Sequence, residues 1–400
     1  MHVCQYIESS LSINAPGGFA PILPGSSAIE ATLAGIAVGS WAKVAGVSGL
    51  SHLSGTAGDG GASGVRTAYM SKWAHDPVAG RFYAITMDHQ LGTPIDSTEP
   101  YLQYDFASNA FSRITPQTTW AIAAGGAFHG SDHNFWAPSA LGGFAHYWRR
   151  VTFSPNIAGK VFRYDGNDTW TGIELGVYGN SIGAQYFPDR GEVMFYADGN
   201  DSAGTASGKA GYLYGWKPLV GGPNGTLTVY ANSGSPYQLP DPGDPHQVVV
   251  YNKAHACVWL AGGNPGPSPS GQTNFIFNAA GVITQMDNLP AIISAGVGHG
   301  SGLYAACYNP GNGKIRVTKD KDTYCELDVT TGHWVTSTVA NQNAGYITNT
   351  ASLISPLSAP SATYGSQQMA VEFASGLKGI AMIKSWTYNA GGELWVCRTA

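Results

Sequence analysis

The chain has 400 residues, of which 11% are charged and 12% aromatic, with 54 glycines and a formal net charge of −5. That composition excludes a helical bundle, which needs runs of Lys, Glu, Leu and Ala, and it fits short strands joined by tight turns. The charge is weak and dispersed, so no nucleic-acid partner is expected; the densest basic spot, Arg149 and Arg150, sits in an aromatic strand-like run.

Residues 1–39 stand apart. No Lys or Arg precedes Lys43, so the basic region of a signal peptide is missing. The apolar run 31–39 is far shorter than the roughly 20 residues of a membrane span, and no span is expected. The segment is poor in charge and carries Pro16, Pro21 and Pro24. It is expected to form an extended arm that runs over the body or docks on a partner. Residues 40–400 form the body.

Along the body one phrase returns six times: an apolar or aromatic strand, a turn rich in Asp, Asn, Gly or Thr, and a second strand that often carries Trp or Phe. Its copies centre on Tyr104, Tyr164, Tyr214, Phe277, Leu327 and Val396. A second phrase, strand, tight turn, strand, precedes most copies at 74–83, 186–195, 250–259, 307–316 and 372–381. Pro, Asn, Asp and Gly supply the backbone angles those hairpin turns require. The second copy is irregular, with 146–153 as its expected strand. Two linked hairpins make a four-stranded meander, which with its turns needs about 40 to 50 residues. The near-even spacing therefore predicts an all-β, six-bladed β-propeller of four-stranded antiparallel blades. The last copy lacks its outer strand. Residues 40–44, around Trp41, resemble the Trp-bearing fourth strand elsewhere and are expected to complete the C-terminal blade, leaving no open edge at the seam.

Five cysteines, Cys4, Cys257, Cys307, Cys325 and Cys397, form no CxxC pair, so a zinc site is not expected and free thiols are. The run Val258, Trp259, Leu260, Ala261, followed by Gly262 and Gly263, is similar to the kelch pattern, as is the phrase from Tyr164 to Trp170. The body thus resembles kelch-like or galactose-oxidase-like propellers, with each copy matching loosely. A galactose-oxidase-like copper site would need two Tyr, two His and a Cys to converge, and no residue here maps onto it. The overall style, low in charge and rich in Gly, Ser, Ala and Thr, resembles bacteriophage tail or fibre proteins.

Several clusters are chemically suggestive. His129, Asp132 and His133 could ligate a metal, although i, i+4 histidines share a face only on a helix and a loop is expected there. Asp165, Asn167 and Asp168, and likewise Asp198, Asn200 and Asp201, offer oxygen ligands for calcium, but neither loop has EF-hand spacing, and such residues also make ordinary turns. No cofactor is required by any motif, Ca²⁺ being the one candidate. Trp136 and Trp148, with His129, Asp132 and His133, are the candidate ligand-binding residues; Trp170 and Trp334, at the fixed repeat position, are expected to pack between blades.

These features point to a non-enzymatic virion structural or attachment protein, a phage tail or fibre component using its propeller as an assembly or receptor-binding platform. Its expected partners are other virion proteins or a cell-surface glycan. A lectin-like glycan-binding propeller, acting in the virion or extracellularly, is the first alternative. A galactose-oxidase-like or glycoside-active enzyme is the second.

Overall fold

The computed structural model describes residues 22–23, 27–53, 73–85, 101–114, 134–138, 143–148, 160–166, 169–175, 182–197, 212–218, 220–231, 239, 247–261, 273–294, 305–318, 323–338, 366–385 and 392–400. In chain order these begin with β1 (Ile22–Leu23), α1 (Ala28–Ala34) and β2 (Trp41–Lys43). The first blade follows: β3 (Ala74–Asp76), β4 (Arg81–Ile85), β5 (Tyr101–Asp105) and β6 (Ala110–Ile114). The second is β7 (Asn134–Ala137), β8 (Gly143–Trp148), β9 (Lys160–Gly166) and β10 (Thr169–Glu174). The third is β11 (Ile182–Phe187), β12 (Glu192–Ala197), β13 (Tyr212–Lys217) and β14 (Thr226–Ala231). The fourth is β15 (Val248–Asn252), β16 (Cys257–Ala261), β17 (Phe275–Asn278) and β18 (Ile283–Gln285). The fifth is β19 (Ala305–Asn309), β20 (Lys314–Thr318), β21 (Thr323–Asp328) and β22 (His333–Thr338). The terminal sheet holds β23 (Ser366–Phe373), β24 (Lys378–Ser385) and β25 (Gly392–Arg398).

The protein is an all-β propeller of four-stranded antiparallel blades. Among the described residues five sheets have that regular form, each a meander in sequence order. The terminal sheet departs from it, with five strands in the order β1-β23-β24-β25-β2. There Trp41, Ala42 and Lys43 pair antiparallel with Cys397, Val396 and Trp395. Ile22 and Leu23 pair parallel with Glu372 and Phe373, on the edge of β23 away from β24.

Neighbouring sheets pack through apolar clusters. Phe135 and Ile173 of the second blade meet Phe195 and Trp216 of the third. Phe187 and Tyr196 of the third meet Val249 and Phe277 of the fourth. Trp259 of the fourth meets Val317 and Leu327 of the fifth. Phe82 and Tyr104 of the first share a cluster with Val371, Ile383 and Val396 of the terminal sheet. Burying such side chains stabilises each interface by about 1.5–3 kcal/mol per residue. Two fully buried indoles keep their N–H groups paired: Trp259 donates to Asn274 Oδ1 (2.9 Å), and Trp216 to the Asn224 carbonyl (2.9 Å).

The turns have a local cause. Asp76 Oδ1 accepts the backbone N–H groups of Val78 and Ala79, and Asp328 Oδ1 that of Thr330. An Asp closing a strand therefore starts the reversal itself. At the turn after β11, Gly191 sits at φ 62, where an L side chain would be strained.

Two expectations need correction. The first hairpin of the second blade is β7–β8, over residues 134–148; of the strand expected at 146–153, residues 146–148 end β8 and 149–153 lie outside the described residues. Asn134–Ala137 is a short strand hidden behind a run of His and Asp, so it read as a loop. The segment expected as an extended arm contains α1, whose Ser27 Oγ caps the Glu30 N–H (3.1 Å). Ile29 and Leu33, one turn apart, are fully buried against the terminal sheet. Among the described residues no helix is long and apolar enough to cross a membrane.

Candidate functional site: an axial cavity

In a meander, the first-to-second and third-to-fourth connections share one face of the ring, and the others share the opposite face. On the first face the connections are short, such as 77–80, 188–191, 253–256, 310–313 and 329–332. On the opposite face they are long, such as 86–100, 115–133, 198–211 and 339–365. The ring is therefore two-faced.

The first strands β3, β7, β11, β15, β19 and β23 surround a cavity of about 150 Å³. Its aromatic lining comes from Trp73 before β3, Phe135 and Trp136 on β7, Tyr186 on β11, Tyr251 on β15 and Tyr308 on β19. Gln185 and Gln368 add amides. The acid and base among the described lining residues are Glu372 and Lys253, and they pair with each other at 3.1 Å. This pair joins the fourth blade to the terminal sheet past the intervening fifth blade. It lies at the short-turn end of the strands, where Ile22 also pairs with Glu372.

Burial shapes the titration of this lining. The Tyr308 phenol is pushed up to about 12, first by burial and then by the Glu372 carboxylate. Tyr251 is raised by burial and by its hydrogen bond to Asp189 (2.8 Å). Burial lowers His75 to about 3, so its imidazole is neutral at pH 7. Its ring packs edge-on to Phe82 (4.9 Å) and beside Phe106 (6.0 Å), and its buried Nε2 has no partner.

A pH prediction follows for His75. The unfolded chain binds a proton at this side chain below about 6.5, and the folded chain does not until about 3. Stability from this group is therefore lost as pH falls through that window, by up to about 1.4 kcal/mol per pH unit. His75→Phe removes the titration and leaves no orphan nitrogen. Its urea midpoint is expected to drop less than that of the parent between pH 7 and 4.5; equal drops would refute the assignment.

Of the residues singled out in the sequence, Trp136 lies on β7 and lines the cavity, so it belongs to an axial strand and not to an off-repeat loop. Trp148 closes β8, at the register of Lys160. His129, Asp132 and His133 lie outside the described residues, as do Asn167, Asp168, Asp198, Asn200 and Asp201. Asp165 is taken up by Arg163 Nε (2.7 Å) and Thr171 Oγ1, the work of a turn. No group of three metal-ligating side chains occurs among the described residues. Trp170 packs against Tyr164 (5.0 Å) within its blade. Trp334 reaches into the neighbouring blade, edge-on to Trp259 (5.9 Å) and donating to the Asp287 carbonyl (3.1 Å). Cys257, Cys307, Cys325 and Cys397 are buried thiols, not disulfides.

Comparison with known proteins gives likenesses of fold. No protein-family model matches the chain, and no curated protein does. Among solved structures, a virginiamycin B lyase from Staphylococcus aureus is similar over 86% of this chain and 97% of its own, at 10% identity and TM-score 0.43. An auxiliary nutrient binding protein from Bacteroides thetaiotaomicron is similar over 87% and 76%, at 11% identity and TM-score 0.45. A mutant of AofleA from Arthrobotrys oligospora is similar over 84% and 88%, at 12% identity and TM-score 0.44. At these values the likeness says nothing of activity.

Proposed function

We propose that this chain is a non-enzymatic attachment protein, a virion component of the tail or fibre kind, whose propeller holds a saccharide-sized group of a cell-surface glycan at its axis. The observation that carries the binding part is the axial cavity, where aromatic rings from separate blades stand beside amide groups. Aromatic faces take the apolar face of a sugar, and amides bond its hydroxyls. The virion setting rests on the style of the sequence.

We read the terminal sheet as a sixth blade, with β2 as its fourth strand, so that the ring closes between β2 and β25. Three features support this reading. Residues 41–43 and 395–397 are in register. Lys43 Nζ reaches Glu393 Oε1 at 2.8 Å. The apolar cluster of the first blade continues into the terminal sheet.

A glycan array probed with the purified chain tests the binding role, with hits expected. Trp136→Ala is expected to weaken those hits by about tenfold while leaving the urea midpoint within about 1 kcal/mol. Mass spectrometry of purified particles tests the setting: absence of the chain from virions refutes it.

A further inference from the structure

Resting on the saccharide reading of the axial cavity, we infer that the site takes a neutral sugar, one ring at a time, and rejects sugars carrying a carboxylate or a free amine. Two observations carry this, the charge of the lining and the size of the space.

Lys253 and Glu372 supply the formal charges among the described lining residues, and each already neutralises the other. The Glu372 side chain is 12% exposed and that of Lys253 32%. An anionic ligand seeking Lys253 must displace Glu372, leaving a largely buried carboxylate without its cation and beside a second negative charge. A cationic ligand seeking Glu372 must displace Lys253 in the same way. Breaking a buried pair costs more than a new pair of equal quality returns. The rest of the described lining is uncharged at neutral pH: burial keeps His75 as the imidazole and Tyr308 as the phenol. A hydroxylated, uncharged ring displaces neither member of the pair.

Size sets the second limit. A cavity of about 150 Å³ is on the scale of a single sugar ring and too small to enclose an oligosaccharide. On that scale one ring is seated at a time, and the sugars linked to it lie beyond the cavity. The Lys253–Glu372 pair and the Ile22–Glu372 pairing occupy the short-turn end.

The test is an array of glycans ending in neutral hexoses, in carboxylate sugars and in amine-bearing sugars, probed with the parent chain, Glu372→Gln and Lys253→Met. The parent is expected to bind neutral termini at least about tenfold better than either charged class. Glu372→Gln frees Lys253 and is expected to gain about tenfold on carboxylate termini; Lys253→Met frees Glu372 and is expected to gain on amine termini. The opposite directions of the two variants separate charge selection from loss of fold, which would lower all binding together. Parent binding of carboxylate or amine termini equal to that of neutral ones overturns the inference while leaving the saccharide reading in place. Absence of binding to every class overturns the saccharide reading, and this inference falls with it.

Discussion

Replacing Ala42 with proline is expected to destabilise the whole ring by about 3 kcal/mol or more. Ala42 stands opposite Val396 in the β2–β25 ladder. The flanking bonds run from Val44 N–H to the Leu394 carbonyl (2.8 Å) and from Arg398 N–H to the Ser40 carbonyl (3.1 Å). That alternation places Ala42 at a hydrogen-bonded pair, where proline removes the N–H and puts its ring into the ladder. Trp41, next to it, packs on the Met382–Trp395 cluster and on the cluster of Ile380, Cys397 and Cys307 that joins the terminal sheet to the fifth blade. Loosening β2 therefore opens a blade interface as well as an edge. The measurement is the urea midpoint, with amide exchange at Val44 and Arg398 as the local readout. An unchanged midpoint with exchange faster only at β2 would mean that the ring does not depend on this strand, and the six-bladed closure would fall.

The second large effect is expected at Glu192. This carboxylate is 2% exposed. It accepts from Arg190 Nε (3.2 Å) and from the Tyr230 hydroxyl (2.8 Å), with Lys217 Nζ at 3.5 Å. Arg190 in turn donates to Tyr230 and to the Ala279 carbonyl of the next blade (2.7 Å), and its guanidinium lies over the Tyr230 and Phe277 rings. The cluster is a polar rivet between the third and fourth blades. Glu192→Ala leaves the guanidinium without its counter-charge and is expected to cost about 3–5 kcal/mol. Glu192→Gln keeps an acceptor and should cost less. Gly215 belongs to the same unit, because a Cβ there would collide with Glu192 Oε2 and the Tyr230 ring. Gly215→Ala is expected to cost about 1–3 kcal/mol alone. In the double variant with Glu192→Ala the costs should fall short of their sum, since the truncated side chain vacates part of the space. Strict additivity in urea melts would remove Glu192 from that role.

Most of the blade pattern is legible in the sequence because each turn is chemically local. Asp76, Asp105 and Asp328 end strands and start reversals with their own carboxylates, and Phe82, Phe111 and Trp334 in the strands that follow mark positions which must pack a large ring. The first hairpin of the second blade escaped because β7 is short and follows a His- and Asp-rich run. Helix α1 escaped because the prolines before it suggested extended chain; the signal was Ser27 with Glu30 three residues on, and Ile29 and Leu33 one turn apart. Of the site, the sequence singles out Trp136 and misses Tyr251, Tyr308, Lys253 and Glu372. Those four read as ordinary strand and turn residues. Their convergence comes from the ring, which sets first strands from distant parts of the chain side by side, and spacing along the chain carries no trace of it.

The pairing of β2 with β25 also orders events in time. Lys43 and Glu393 are 350 positions apart in the sequence, so β2 leaves the ribosome long before its partner exists. Until β25 is made, Trp41 and its strand have no ladder to join. The entropy of bringing such distant segments together must be met before their contacts stabilise anything, which places this pairing late and makes it slow. For a nascent chain, the exposed strand awaiting its partner is where a neighbouring copy could pair instead, and delay in finishing the chain lengthens that exposure.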